Sequence, residues 1–130
     1  MKIEVSLGEI VDKITILQLK QKHITDSSKL KNVEIELNEL TPLLEIIITT
    51  PFLSTLYNLL YDTNQSLWII EDKLREKELN QEFDQEFIEL ARSVYYTNDE
   101  RAAIKKDINT ASGSKLIEEK SYKNYTNKNN

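Results

Sequence analysis

The sequence predicts an all-α fold, an antiparallel bundle of about four helices with a short N-terminal extended arm and a flexible C-terminal tail. Three observations carry that reading. The 130 residues include only two glycines and two prolines, too little turn chemistry for a many-stranded sheet. Apolar residues recur at spacings of three and four in four successive stretches, the period of a helix that buries one face. The interruptions between those stretches are short, which makes consecutive helices antiparallel neighbours.

The elements follow in order. Residues 2–6, KIEVS, alternate and suit a short extended arm. Ser6-x-x-Glu9 is a capping-box pattern, opening a helix with the stripe Leu7, Ile10, Ile14, Leu17, Gln21 and Ile24. The TDSS segment breaks it, and a second helix starts near Ser28 with Leu30, Val33, Leu37, Leu40 and Leu44 on one face. Pro42 is placed to kink that helix or to open another. The run EIIITT (45–50) is β-branched and too short to assign. Thr50-Pro51 fits an N-cap with proline in the first turn. The third stripe is Leu53, Leu56, Leu60, Thr63, Leu67, Ile70 and Leu74. Asp84 is placed to cap a fourth helix that runs to about Gly113. The domain is expected to span residues 1–122 as a single unit. The Asn/Lys-rich tail, 123–130, has the composition of a disordered segment.

Composition narrows the function. A net charge of −5 and a pI near 5.0 oppose binding to a nucleic-acid backbone, which needs a basic face. There is no cysteine and one histidine, His23, so thiolate chemistry and a histidine zinc cluster are out of reach. Glu36-x-x-Glu39 with Glu71-Asp72 does not keep the spacing of paired magnesium carboxylates, so neither metal nor cofactor is expected. The start has no apolar leader and no run reaches membrane-spanning length, which predicts a cytosolic chain with no membrane contact. A homo-oligomer is compatible with the sequence.

The informative region is the polar centre of the fourth stripe, Phe87, Leu90, Val94, Thr97, Arg101, Ile104 and Ile108. Pairing the third and fourth helices about the 80–84 loop sets Asp62 and Thr63 opposite Arg101, and Asn64 opposite Asn98 and Asp99. Trp68 then faces Tyr95. Local pairs account for most charges: Glu71 with Arg75, Glu9 with Lys13, and Glu89 or Glu71 with Arg92. Arg101 has Thr97, Asn98, Ile104 and Lys105 one turn away, none acidic. Asp12 has Gly8, Glu9, Thr15 and Ile16, none basic. Each needs a partner outside its own helix.

Two readings stand. In one, the belt is a buried polar layer that fixes helix register, with an Asp62–Arg101 bridge. In the other, it is a binding site, with Arg101, Asn98, Thr97, Asp62, Asn64, Tyr95, Tyr96 and Asp12 as candidate ligand-binding residues. Trp68 on this reading belongs to the core, His23 is a solvated residue at a helix end, and EFDQEFIE (82–89) complements a helix dipole.

Four stretches together are familiar: GEIVDKITIL (8–17), NQSLWIIEDKLREKE (64–78), FIELARSVYYTNDERAAIKKDIN (87–109) and GSKLIEEKSY (113–122). In them the chain resembles a family of short bacterial proteins classed as a domain of unknown function, from about Lys2 to Tyr122. It departs at NQEFD (80–84), where the family is more glycine-rich. The resemblance implies a bacterial or phage-borne cytosolic protein whose relatives lie near surface-polysaccharide assembly, and it transfers no catalytic residue. The expected function is a non-enzymatic module that binds a partner protein or a small anionic or sugar-like ligand at the Arg101 level. The alternatives are a small all-α enzyme with Asp12 or Asp99 as acid or base and Arg101 as anion clamp, and a structural adaptor docking through EEKSYKNY (118–125).

Overall fold

The computed structural model describes residues 1–114, 116 and 118–125. Four helices follow one another: α1 Leu7–His23, α2 Ser27–Thr49, α3 Pro51–Leu79 and α4 Gln85–Ser112. The all-α reading holds, and no strand forms among the described residues. The arm, residues 2–5, stays exposed outside any regular element.

Caps set most of the boundaries. The Ser6 hydroxyl accepts from the Glu9 N–H at 3.2 Å to open α1, and Asp26 accepts from the Ser28 and Lys29 N–H groups to open α2. Asp84 accepts from the Phe87 N–H at 2.9 Å, and Gly113, at φ +67°, closes α4 in the left-handed conformation that glycine takes without strain. Lys77 stitches the α3–α4 turn by pairing with Glu82, Asp84 and Glu86; its ammonium, hydrogen-bonded first of all to Asp84, is pushed up to about 12.

Two local expectations resolve differently. Pro42 neither ends nor restarts α2, although it removes one ladder hydrogen bond. Leu37, Leu40, Leu43 and Leu44 pack on the core to either side of it and hold the helix through the defect. The ambiguous EIIITT run is helical to Thr49: Ile47 is buried, while Glu45 and Thr49, which an alternating strand would bury with it, are exposed along with Ile46 and Ile48. The break comes at Thr50, where the following proline forces an extended backbone (φ −99°, ψ 106°) and α3 leaves at 117° to α2. Thr50 stands at the N-cap of α3 without capping it; its hydroxyl donates back to the Ile46 carbonyl at 2.8 Å.

The core is Val11, Ile14, Ile47, Leu56, Leu60 and Ile108, drawn from all four helices. Each such side chain contributes about 1.5–3 kcal/mol when fully buried. Among the described residues no single helix is long and apolar enough to cross a membrane; α2 and α3 taken together, across their bend, carry such a window.

Candidate functional site

α1 lies against α4, and three polar contacts at helical spacing define the seam. The Gly8 N–H donates to Asn109 Oδ1 at 2.7 Å, Lys105 Nζ donates to Glu9 Oε1 at 2.6 Å, and Arg101 grips Asp12. As residue numbers rise along α1 they fall along α4, so the two helices run antiparallel. Position 8 needs glycine for this approach. A Cβ there would sit 2.6 Å from the Lys105 carbonyl oxygen and 2.8 Å from Asn109 Oδ1, well inside contact distance.

Asp12 is the centre of the seam. Its side chain is 5% exposed, and the Arg101 fork reaches both oxygens, Nε to Oδ1 at 2.9 Å and Nη2 to Oδ2 at 2.5 Å. Asn64, buried on α3, donates from Nδ2 to Asp12 Oδ1 at 2.9 Å and to Thr15 Oγ1 at 2.8 Å. Thr15 in turn donates to the Asp12 carbonyl. A buried carboxylate is tolerated only when paired and hydrogen-bonded, and here both conditions are met. The hydrogen bond to Asp12 raises the Arg101 guanidinium further above its usual range, against the opposing effect of burial. The pair occupies Nε and Nη2 and leaves Nη1 outside it.

One turn along, Lys105 is held by two carboxylates, Glu9 at 2.6 Å and Glu118 at 3.0 Å, with Asp12 4.0 Å away. Burial pulls the Lys105 ammonium down, but these partners outweigh it and the net shift is upward. Glu118 also accepts from Lys120. Lys120 first, with Lys105, holds its carboxyl at about 2. Glu119 pairs with Lys106 at 3.6 Å, and the Tyr125 hydroxyl donates to Asp99 Oδ2 at 2.5 Å. That bond pushes the phenol up to about 12. The Tyr125 ring also packs against Tyr95 and Tyr96. Residues 118–125 are thereby laid back along α4.

Two cavities flank Arg101. The larger, about 710 Å³, lies between α4 and the 120–125 segment. It is lined by Tyr95, Tyr122 and Tyr125 and by four cations, Arg101, Lys105, Lys120 and Lys123, with Asn98 and Asp99. The second, about 590 Å³, lies between α1, α3 and α4 and is lined by Asn64, Trp68, Glu71, Asp72 and Arg75 among others. Arg101 and Asn98 line both.

The candidate residues are distributed as follows. Arg101, Asp12 and Asn64 meet directly, and Arg101, Asn98 and Tyr95 line the larger cavity. Tyr96 supports it from behind through Tyr125, and Thr97 is half-buried without lining either cavity. Asp62 is exposed and does not bridge Arg101, whose carboxylate partner is Asp12. The local pairing of Glu9 with Lys13 gives way as well: Glu9 turns to Lys105, and Lys13 pairs with Glu36 at 2.9 Å. Arg92 forms no ion pair among the described residues, whereas Arg75 keeps Glu71 at 3.9 Å. Trp68 is half-buried rather than a core residue, and His23, exposed at the end of α1 as expected, stacks on it at 4.9 Å. Of the tail, residues 123–125 are described and line or close the larger cavity, while 126–130 lie outside the described residues.

Sequence reasoning missed Lys105, Glu9, Thr15, Asn109, Glu118 and Lys120. The signal was present: Arg101, Lys105 and Asn109 repeat at four, and Gly8, Glu9, Asp12 and Thr15 answer them on α1. Among the described residues no three of His, Asp and Glu gather closely enough to hold a metal ion; the chemistry available is that of fixed cations, amides and phenols. No curated protein and no solved structure matches the chain. A family model matches residues 1–129, and the chain belongs to that family, one of unknown function (DUF6165).

Proposed function

We propose that the chain is a binding module for a small anionic ligand, which sits in the cavity between α4 and the 120–125 segment with Arg101 at its wall. One observation carries the reading: Arg101 is fixed by a buried carboxylate and lines a cavity that also holds three lysines and three tyrosines. A guanidinium already locked in one geometry loses little freedom when it binds. Phenol rings add apolar area with a polar edge, the usual composition of a small-molecule pocket. Glu118 supports the reading from within, because its carboxylate already sits at hydrogen-bond distance from Lys105 and Lys120.

A binding role is favoured over an enzymatic one because the candidate acids are committed. Both Asp12 oxygens accept hydrogen bonds, and Asp99 accepts from Tyr125. Asp12 takes no proton without giving up part of its pairing with Arg101. The cytosolic, bacterial or phage-borne setting and the accessory role in surface-polysaccharide assembly that the resemblance implies belong to this proposal.

Thermal shift and calorimetry with inorganic phosphate and pyrophosphate test it, with Arg101→Lys as comparison. At about ten times Kd, binding linkage adds ~1.4 kcal/mol, a rise of roughly 5 °C at this chain length. The lysine variant keeps the charge but loses the fork, so its response should fall. If these anions move neither protein, the reading fails.

A further inference from the structure

We propose that the groove beside Trp68 receives a hydroxylated ring, so that the ligand of this protein is a phosphorylated sugar with its phosphate in the lysine-lined cavity. The proposal rests on the anion reading above and names the ligand that reading leaves open. Arg101 and Asn98 line both cavities, and the proposed ligand reaches across these two residues from one to the other.

Their chemistries differ in the way a two-part ligand requires. The α4 side offers Lys123 and, where a phosphate takes the place of the Glu118 carboxylate, Lys105 and Lys120, with Asp99 beside them. The α3 side offers two carboxylates, Glu71 and Asp72, and one further cation, Arg75, which leans on Glu71 at 3.9 Å. A phosphate is attracted to the first and repelled from the second, and this fixes the orientation of the ligand.

The α3 side has what a sugar ring needs. Trp68 is a half-buried indole, oriented by its stack with His23, and an indole offers a flat apolar surface to the C–H face of a ring. Glu71 and Asp72 accept hydrogen bonds from hydroxyls, and the Asn98 amide can both donate and accept. Carboxylates and amides on one rim suit adjacent hydroxyls, whereas a purely apolar ligand would leave them unpaired.

Trp68 is the single tryptophan of the chain, so its fluorescence reports this groove alone. The full chain is titrated with inorganic phosphate, glucose 1-phosphate and ribose 5-phosphate, following both emission and melting temperature. Phosphate should raise the melting temperature and leave the emission unchanged. At least one sugar phosphate should change the emission and bind about tenfold tighter than phosphate, about 1.4 kcal/mol by the affinity relation. Glu71→Gln with Asp72→Asn, both at exposed positions, should bring that preference back towards unity while phosphate affinity stays. Equal stabilisation by phosphate and by both sugar phosphates, with emission unmoved, overturns the proposal and spares the anion site. No stabilisation by any of the three overturns both.

Discussion

The sharpest energetic test concerns Asp12 and Arg101. Arg101→Met keeps most of the aliphatic stem and removes the fork, leaving a carboxylate whose side chain is 5% exposed. Losing one member of a buried pair costs about 3–5 kcal/mol. Two groups soften the loss here: Asn64 still donates to Oδ1, and Lys105, 4.0 Å away, keeps part of the attraction. The lower end, ~3 kcal/mol, is therefore expected. Asp12→Asn strands a guanidinium whose side chain is 30% exposed and open to water, so about 2 kcal/mol is expected, near the cost of one unmade charged hydrogen bond. The double variant should lose less than the two single losses added together, by roughly 1–2 kcal/mol, because the second substitution removes a group already stranded. Urea unfolding with an unchanged slope measures all three. Additivity within about 0.5 kcal/mol would refute the claim that these groups act as one unit.

Three further outcomes follow from the same seam. Gly8→Ala gains helix propensity but drives a methyl to 2.6 Å from the Lys105 carbonyl; a net loss of roughly 2–3 kcal/mol is expected from the overpacking, and a raised melting temperature would show that α1 can retreat freely. Asn64→Ala removes both donors that brace Asp12 and Thr15 and should cost about 1–3 kcal/mol, read by the same unfolding curves. The Glu118 contact carries a pH signature. Its folded carboxyl is held at about 2, below the ordinary 4.5, so its contribution is complete above about pH 4.5 and is lost as pH falls towards 2. A side-chain carboxyl NMR titration with its midpoint near 4.5 would show that Glu118 does not hold Lys105 and Lys120 in solution.

Much of the fold was legible because the local signals agree with one another. Serine, aspartate and glycine at 6, 84 and 113 act as read, since capping is decided by a few neighbouring atoms. What misled was context. Pro42 is a strong local breaker, yet leucines on both sides bind α2 to the core, and their burial outweighs one lost hydrogen bond. EIIITT looked ambiguous because its isoleucines serve opposite roles, Ile47 in the core and Ile46 and Ile48 outside it. Neighbours in space decide that, and period alone cannot.

The site shows the same division at finer scale. Matching α3 against α4 brings Asn64 and Asn98 to one level, and both line the groove that Arg101 also lines. It assigns Asp62 to Arg101 because two helices are all that a hairpin contains. The third helix supplies the better partner. Asp12 and Arg101 are the two opposite charges that find nothing on their own helices, and leaving the Asp12 carboxylate buried alone would be costly. Pairing them sets the register of α1 on α4, and that register then predicts Glu9 on Lys105 and Gly8 on Asn109, both of which occur. The consequence reaches function. Since Asp12 already balances Arg101, a bound anion meets an oriented guanidinium edge that carries little unbalanced charge. Lys105 and Lys120 are balanced in the same way by Glu9 and Glu118, so an anion gains net attraction from these two only by taking the place of Glu118, while Arg101 supplies the geometry; lysine substitutions should weaken every anion alike, whereas Arg101→Lys should blur the distinction between them.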